Sequence, residues 1–464
     1  MSTTVVIVGA GPAGMMAARE VACRGGRAIL LDEAARPGGQ IYRQAASSER
    51  AVPIGLAGEL ARKKAVWEAF AEVAGSVEYH AEATAFSLFP GPELHAVIAG
   101  KTHKIRPDAV ILATGVSERA VPFPGWTLPG VTFAGGIQAT LKAHGVRAGT
   151  QIVVAGAGPL PLAVGAQLID AGAKVPAVAL VNPISTMLRH PAALWAGRDI
   201  VAEGRQYLAR LKGAGTELLQ GWVPVRASGD GRLRSVTLAR HENGRPVPGS
   251  ERTIDCDVLA INFGFVVNSE LARMAGAEAK FDPNRGGWVP VRDAYGRTSV
   301  PGVFVAGDGA GLRGALVAAP DGQIVGAAAM AGAKGDAVGG IERELAMAIS
   351  ERRRHEKFQD AVQELLRLPD GMWSLADQDT TICRCECVTR ARIERAVEDG
   401  HLTLNAIKKN SRAGMGWCGG RICVHSVAAL SAGGKLVPGI EQMTPRPVAR
   451  LVTIGDLVEE VVHD

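Results

Sequence analysis

The chain has 464 residues, more than one ordinary domain holds, and its 47% hydrophobic and 21% charged content allows a large core and excludes global disorder. The net charge is only +5, mild for this size, whereas a nucleic-acid binder more often shows a concentrated basic face. Glycine is in excess, 58 of 464 residues against a usual share of about 7%, and that excess is expected in turns and nucleotide loops. No run of 18 apolar residues could span a membrane. Met1-Ser2-Thr3-Thr4 leads straight into an apolar strand, without a basic leader or cleavage site. A cytoplasmic location is expected, with peripheral contact at a membrane left open.

The first element is a short β-branched strand, Val5-Val6-Ile7-Val8, of the kind buried on both faces in a parallel sheet. The turn Gly9-Ala10-Gly11-Pro12-Ala13-Gly14 follows, then an Ala- and Met-rich helix to about Arg24 and a second strand, Ala28–Leu31, closing on Asp32. A related pattern returns 147 residues later, with Gln151–Ala155 followed by Gly156-Ala157-Gly158-Pro159-Leu160-Pro161. Each half ends in a similar strand and turn, Ala109–Leu112 before Ala113-Thr114-Gly115 and Val258–Asn262 before Phe263-Gly264. The expected fold is α/β, with two Rossmann-like dinucleotide-binding units, the second inserted in the first. The FAD unit is expected at 1–118 and 286–345, the inserted unit at 119–285 and a helical linker at 346–371. A small cysteine domain at 372–435 and a C-terminal arm at 436–464, with Pro438, Pro445 and Pro447, complete the chain.

A lone GxGxxG is weak evidence, but here a strand precedes it, a helix follows, and an acid lies 18 residues past Gly14. Gly9 permits the tight turn, Gly11 lets backbone approach a pyrophosphate, and Gly14 allows helix and strand to pack closely. The helix N-terminus offers free N–H groups to the phosphates. Asp32 is expected to accept from the adenosine ribose, with Glu33 as the alternative. Gly38-Gly39-Gln40 and Arg43 lie just beyond, where they can pass under a flavin's phosphates and ribityl chain. Ala306-Gly307-Asp308 ends a strand and offers an aspartate to a ribityl hydroxyl, or else forms only a solvated turn. Pro320-Asp321-Gly322 is expected to start a helix whose N-terminus faces the flavin's N1–O2 region. Taken in order, these elements favour FAD over NAD.

The second fingerprint is degenerate. Pro161 replaces the third glycine, and the strand Val178–Val181 ends on Asn182 with no acid for a ribose diol. This unit is either vestigial or a site for NAD(P) or another nucleotide.

Cys23 and Cys256 stand alone, whereas Cys383, Cys385, Cys387, Cys418 and Cys423 fall within 41 residues. A local cluster in a cytosolic chain reads as a metal or cluster site rather than a disulfide framework. Four thiolates, Cys383, Cys385, Cys418 and Cys423, can hold a 2Fe–2S cluster, and the nearby glycines free backbone N–H groups for its sulfides. A four-cysteine zinc site is the alternative, though zinc sites usually show CxxC pairs. Arg384, Lys408, Lys409, Arg412 and Arg421 would raise the cluster's potential if they face it, or are surface charge. His144, His190 and His425 are scattered, and no residue is assigned a catalytic acid or base role.

Gly9-x-Gly11-x-x-Gly14, Ala113-Thr114-Gly115 and Ala306-Gly307-Asp308 resemble the motifs of two-dinucleotide-domain flavoproteins such as thioredoxin and glutathione reductases. No redox pair of cysteines accompanies them, so thiol–disulfide exchange is not expected. The Cys383-x-Cys385 and Cys418-x4-Cys423 pattern resembles the bacterioferritin-associated-ferredoxin type of domain, with a wider second pair and Cys387 as a spare thiol. Together with Gly38–Arg43 and Gly414-Met415-Gly416-Trp417-Cys418, the whole chain resembles the α (A) subunit of dye-linked amino-acid and opine dehydrogenases. The resemblance implies an FAD and 2Fe–2S oxidoreductase subunit, active only with a partner. It also implies a D-amino-acid-oxidase-like β subunit that oxidises the amine, in some cases a small third subunit, and a quinone or dye acceptor. An FMN at a subunit interface is left open. The rivals are an NAD(P)H-dependent flavin and iron–sulfur reductase, and a non-catalytic iron–sulfur assembly module.

Overall fold

The computed structural model describes residues 2–45, 54–335, 341–437, 439–458 and 460–463. Its centre is a five-stranded parallel sheet in the order Val303–Val305, Ala109–Leu112, Thr4–Val8, Arg27–Leu31, Val77–His80. Side chains alternate faces along a strand, so the β-branched runs feed two cores at once. Val5, Ile7 and Ile111 pack under the helices Pro12–Cys23 and Ala315–Lys334. Val6, Val8 and Val110 pack against Leu88, Leu94 and Ala96 of an antiparallel sheet. The two helices touch backbone to backbone: a Cβ on Gly322 would lie 2.1 Å from the Ala13 carbonyl oxygen.

The second unit repeats the plan, its parallel sheet running Glu217–Gln220, Ala177–Leu180, Ile152–Gly156, Val258–Asn262, Val131–Phe133. The chain leaves the first unit along Val116–Glu118 and returns along Phe265–Val267, and these two connections pair with each other. The first unit's core already takes up Leu271, Ala272 and Ala275, so the return comes earlier than residue 286. Their helix, Glu270–Met274, has no motif to mark it.

A second correction concerns Pro320. The helix begins at Ala315, and Pro320 lies inside it. Proline ordinarily breaks a helix interior, but the Ala315–Ala319 run carries this helix past the hydrogen bond that Pro320 forfeits.

The linker forms the helix Ala346–Leu366. Beyond it, Met372, Trp373 and Leu375 still belong to the second unit's core, so the cysteine domain proper starts about Ala376. That domain packs Ile382, Val388, Ile393, Ile407 and Val427 between a short strand pair and three helices. The arm then returns to the first unit. The Ala449 N–H donates to the Phe86 carbonyl, and Glu460–His463 adds a parallel strand to Lys101–Ile105. Pro438 lies outside the described residues.

Candidate functional site: a flavin crevice and a four-cysteine centre

The glycine turn sits at the carboxyl end of the central strand, where open α/β sheets bind ligands. Gly9 has φ +104°, and a Cβ there would lie 2.4 Å from the Ala113 carbonyl oxygen, so strand end and turn are in backbone contact. Gly11, which caps the helix that starts at Pro12, faces Gly39 across bare α-carbons; a Cβ on Gly39 would come within 2.9 Å of Gly11 Cα. Two stretches of naked backbone thus meet at a helix N-terminus, the arrangement a pyrophosphate requires.

Asp32 accepts from the Ala10 N–H at 2.5 Å and the Ala34 N–H at 2.7 Å. Burial pushes its pKa up against those two donors. Glu33 is exposed and pairs with Arg450 of the arm at 3.0 Å. Gln40 is exposed and accepts from Arg43 at 3.0 Å. Thr114 donates to the Asn268 carbonyl at 2.7 Å, tying the Ala113–Gly115 turn to the returning connection. Asp308 commits Oδ1 to the Arg313 and Gly314 N–H groups, and burial raises its pKa. The Gly307 N–H donates to Asp321, a fully buried carboxylate that also accepts from Arg292 at 2.9 Å and Arg352 at 3.0 Å. Burial alone would raise the Asp321 pKa, but the arginines hold it below its usual value. Asp321 therefore braces the Gly307–Asp308 turn from behind, instead of opening a helix toward the flavin. Of the flavin residues expected from sequence, Gly9–Gly11 form the turn after the central strand, Pro12, Ala13 and Gly14 open the helix that follows, and Gly307–Asp308 follow the strand Val303–Val305.

The cysteine centre draws on two loops. Cys383 ends the strand Thr381–Cys383, and Cys423 is the N-cap of the helix Val424–Ser431; both are buried. Cys385 and Cys418 are partly exposed, and all four are free thiols. Cys383 and Cys423 influence each other's titration, as do Cys385 and Cys418. Cys423 and the N–H groups of Gly414, Glu386 and Cys385 bring the Cys383 thiol down to about 6, against the cost of burial. Cys383 and full burial push Cys423 well up. Gly416 is obligatory, because a Cβ there would lie 2.2 Å from Cys385 Cβ. Among the described residues no three His, Cys, Asp or Glu groups close on a single ion. Cys387 is exposed, its sulfur turned to the Arg384 carbonyl at 3.8 Å.

Of the nearby cations, Arg384 lies over the Trp126 ring and Arg412 pairs with Glu386 at 2.7 Å. Arg421 donates to the Cys418 carbonyl at 3.0 Å and pairs with Glu270. Beside it opens a cleft of ≈ 340 Å³ between the cluster loop, the returning segment and the arm. Arg273, Lys408, Arg421, Arg446 and Arg450 line this cleft, and burial lowers the pKa of Arg273 to about 10. Sequence reading missed Arg273, Arg446 and Arg450, which come from distant segments with no common motif.

Residues 3–332 match the pyridine nucleotide-disulphide oxidoreductase model, and residues 381–431 match the BFD-like [2Fe-2S] binding domain. The chain belongs to the pyridine nucleotide-disulphide oxidoreductase family. Within this family it is 35% identical to the hydrogen cyanide synthase subunit HcnB of Pseudomonas aeruginosa, over 91% of each chain. It is 32% identical to an opine oxidase subunit of Agrobacterium tumefaciens, over 92% of this chain and 85% of that one. The fold also matches the crystal structure of L-proline dehydrogenase from P. horikoshii, with a TM-score of 0.71 at 19% identity, covering 98% of this chain and 79% of that one. This family member is an oxidoreductase that carries FAD and a 2Fe–2S cluster. No helix among the described residues is long and apolar enough to cross a membrane.

Proposed function

We propose that the chain is the electron-transfer subunit of a multi-subunit amino-acid or opine (secondary amine) dehydrogenase. A flavoprotein partner resembling D-amino-acid oxidases oxidises the amine, and this chain passes the electrons to a quinone or dye. The observation that carries this reading is the exposure of the cluster edge. Cys385 and Cys418 reach the surface, and Trp417, next to Cys418, is 70% exposed. An iron–sulfur cluster exchanges single electrons and a flavin one or two, so the pair can split a two-electron oxidation into single steps.

The chain's own residues hold and tune these groups. Gly9, Ala10, Gly11, Pro12, Ala13 and Gly14 offer backbone to the FAD pyrophosphate, and Asp32 or Glu33 meets the ribose. Gly39, Gln40, Arg43, Ala113, Thr114, Gly115, Gly307 and Asp308 enclose the rest. Cys383, Cys385, Cys418 and Cys423 are the cluster ligands. The cation-lined cleft beside Cys418 suits the phosphate of a second flavin such as FMN at the subunit interface.

An anaerobic titration of the purified chain tests the reading. NADH and NADPH should leave flavin and cluster absorbance unchanged, dithionite should bleach both, and amine should bleach both only with the partner present. Rapid stoichiometric bleaching by NADH or NADPH would give the reductase reading the lead.

A further inference from the structure

The second dinucleotide unit keeps the turn Gly156-Ala157-Gly158, yet its binding face is not open. Gly158, in the place of the glycine that bares backbone to a pyrophosphate, is buried. A Cβ on it would lie 2.4 Å from Leu366 Cδ2. Leu366 is the last residue of the linker helix Ala346–Leu366 and is itself buried. Asn182, just past the strand whose end carries the ribose-binding acid in such units, donates to two carbonyls of that helix end. Its Nδ2 lies 3.1 Å from the Leu365 oxygen and 2.6 Å from the Arg367 oxygen. Arg119, also buried, donates to the Leu366 oxygen at 3.4 Å.

A helix leaves its last carbonyls without partners, and they carry its partial negative charge. Here the second unit supplies those partners from the strand-end Asn182 and from Arg119, while its glycine turn packs against the Leu366 side chain. We infer that the second dinucleotide groove is a docking site for the chain's own 365–367 segment, which excludes NAD(P)H from it. The carbonyls of Leu365 and Arg367 occupy the Asn182 amide where a ribose would be met, and the Leu366 side chain fills the space of the phosphates. The degeneracy of the fingerprint follows. An acid at position 182 would repel the carbonyls that the Asn182 amide binds.

The docking also has a mechanical consequence. At its other end the same helix places Arg352 on Asp321, behind the Gly307–Asp308 turn. Along its length Phe358, Val362 and Leu366 share an apolar cluster with Leu312. The helix thus runs as a strut from the flavin turn to the second groove, and the cysteine domain follows directly from its docked end.

Hydrogen–deuterium exchange of the holo-protein tests the inference without relying on any amine or partner. Amides at 156–160 and 364–368 should exchange slowly in the wild type, and millimolar NADH or NADPH should not change them. Asn182→Ala and, separately, Leu366→Ala should speed exchange in both stretches together by about tenfold, while the FAD and cluster spectra persist. Fast wild-type exchange at 364–368, further slowing of 156–160 by NAD(P)H, or an Asn182→Ala pattern identical to wild type would each overturn it. Because no electron transfer is measured, these outcomes are separate from failure of the proposed function.

Discussion

Gly14 lies so close to Gly9 that a Cβ on the later residue would sit 1.7 Å from the carbonyl oxygen of the earlier one. The contact joins the first turn of the helix to the end of the strand, and no rotamer relieves it because the obstacle is backbone. Gly14→Ala must therefore move the turn itself. The expected result is loss of FAD on purification and destabilisation of about 4 kcal/mol, read from flavin absorbance and denaturant unfolding. Gly25→Ala is the control: it carries the backbone strain of a positive φ but has no atom within 4 Å of its would-be Cβ, and should keep its flavin.

The five clustered cysteines should separate cleanly. Cys383→Ser and Cys423→Ser each remove one of the two buried thiols and should abolish the visible absorbance and reduced-state electron paramagnetic resonance of the cluster. Cys387→Ser should leave both signals at wild-type amplitude, since its sulfur is exposed and turned to the Arg384 carbonyl. A cluster that survives Cys383→Ser but not Cys387→Ser would reassign the ligand set.

What the sequence made legible was local. Val5–Val8 with Gly9–Gly14, and Cys383–Cys385 with Cys418–Cys423, combine residue type and spacing in short stretches, and the fold makes the first of these a strand, turn and helix. Illegible were pairs joined only by tertiary structure. Asn182 reads as a missing acid, and nothing near it in sequence announces Leu365 and Arg367 as its partners. Arg273, Arg446 and Arg450 meet only because the arm folds back over the returning segment. Pro320 misleads for the opposite reason. It is a strong local signal for a helix start, but the alanine-rich run around it and the packing on Ala13 outweigh it.

The buried Asp321 gives a pH dependence with a definite sign. Its pKa in the folded chain lies below the unfolded value of about 4, because Arg292 and Arg352 outweigh burial. A depressed carboxylate contributes stability that is fully present above the unfolded pKa and is lost as pH falls through the folded one. Asp321→Asn leaves the buried Arg352 and the partly buried Arg292 short of a counter-charge and should cost about 3 kcal/mol at neutral pH. The gap between wild type and variant should stay constant above about pH 5 and narrow below the unfolded value. Paired urea titrations from neutral pH down through the unfolded pKa check it. A gap that widens toward acid would show that Asp321 is not held as a charged group.

The cation-lined cleft predicts how the chain meets its partner. Arg446 is exposed on the arm and is not among the four cysteines or the flavin-turn residues, and Trp417, also exposed, lines the same cleft. Arg446→Glu reverses one charge where Arg273, Lys408 and Arg450 already crowd together, so the isolated chain should keep its fold, FAD and cluster. If this face receives the partner, amine-driven reduction in the reconstituted complex should slow by at least about tenfold, through loss of a charged interface contact. Trp417→Ala should add to the loss, as exposed aromatics at interface centres do. The additive effect is expected on complex affinity, measured by sedimentation with the purified partner. Unchanged affinity and reduction rate in both variants would move the electron-entry face elsewhere on the molecule.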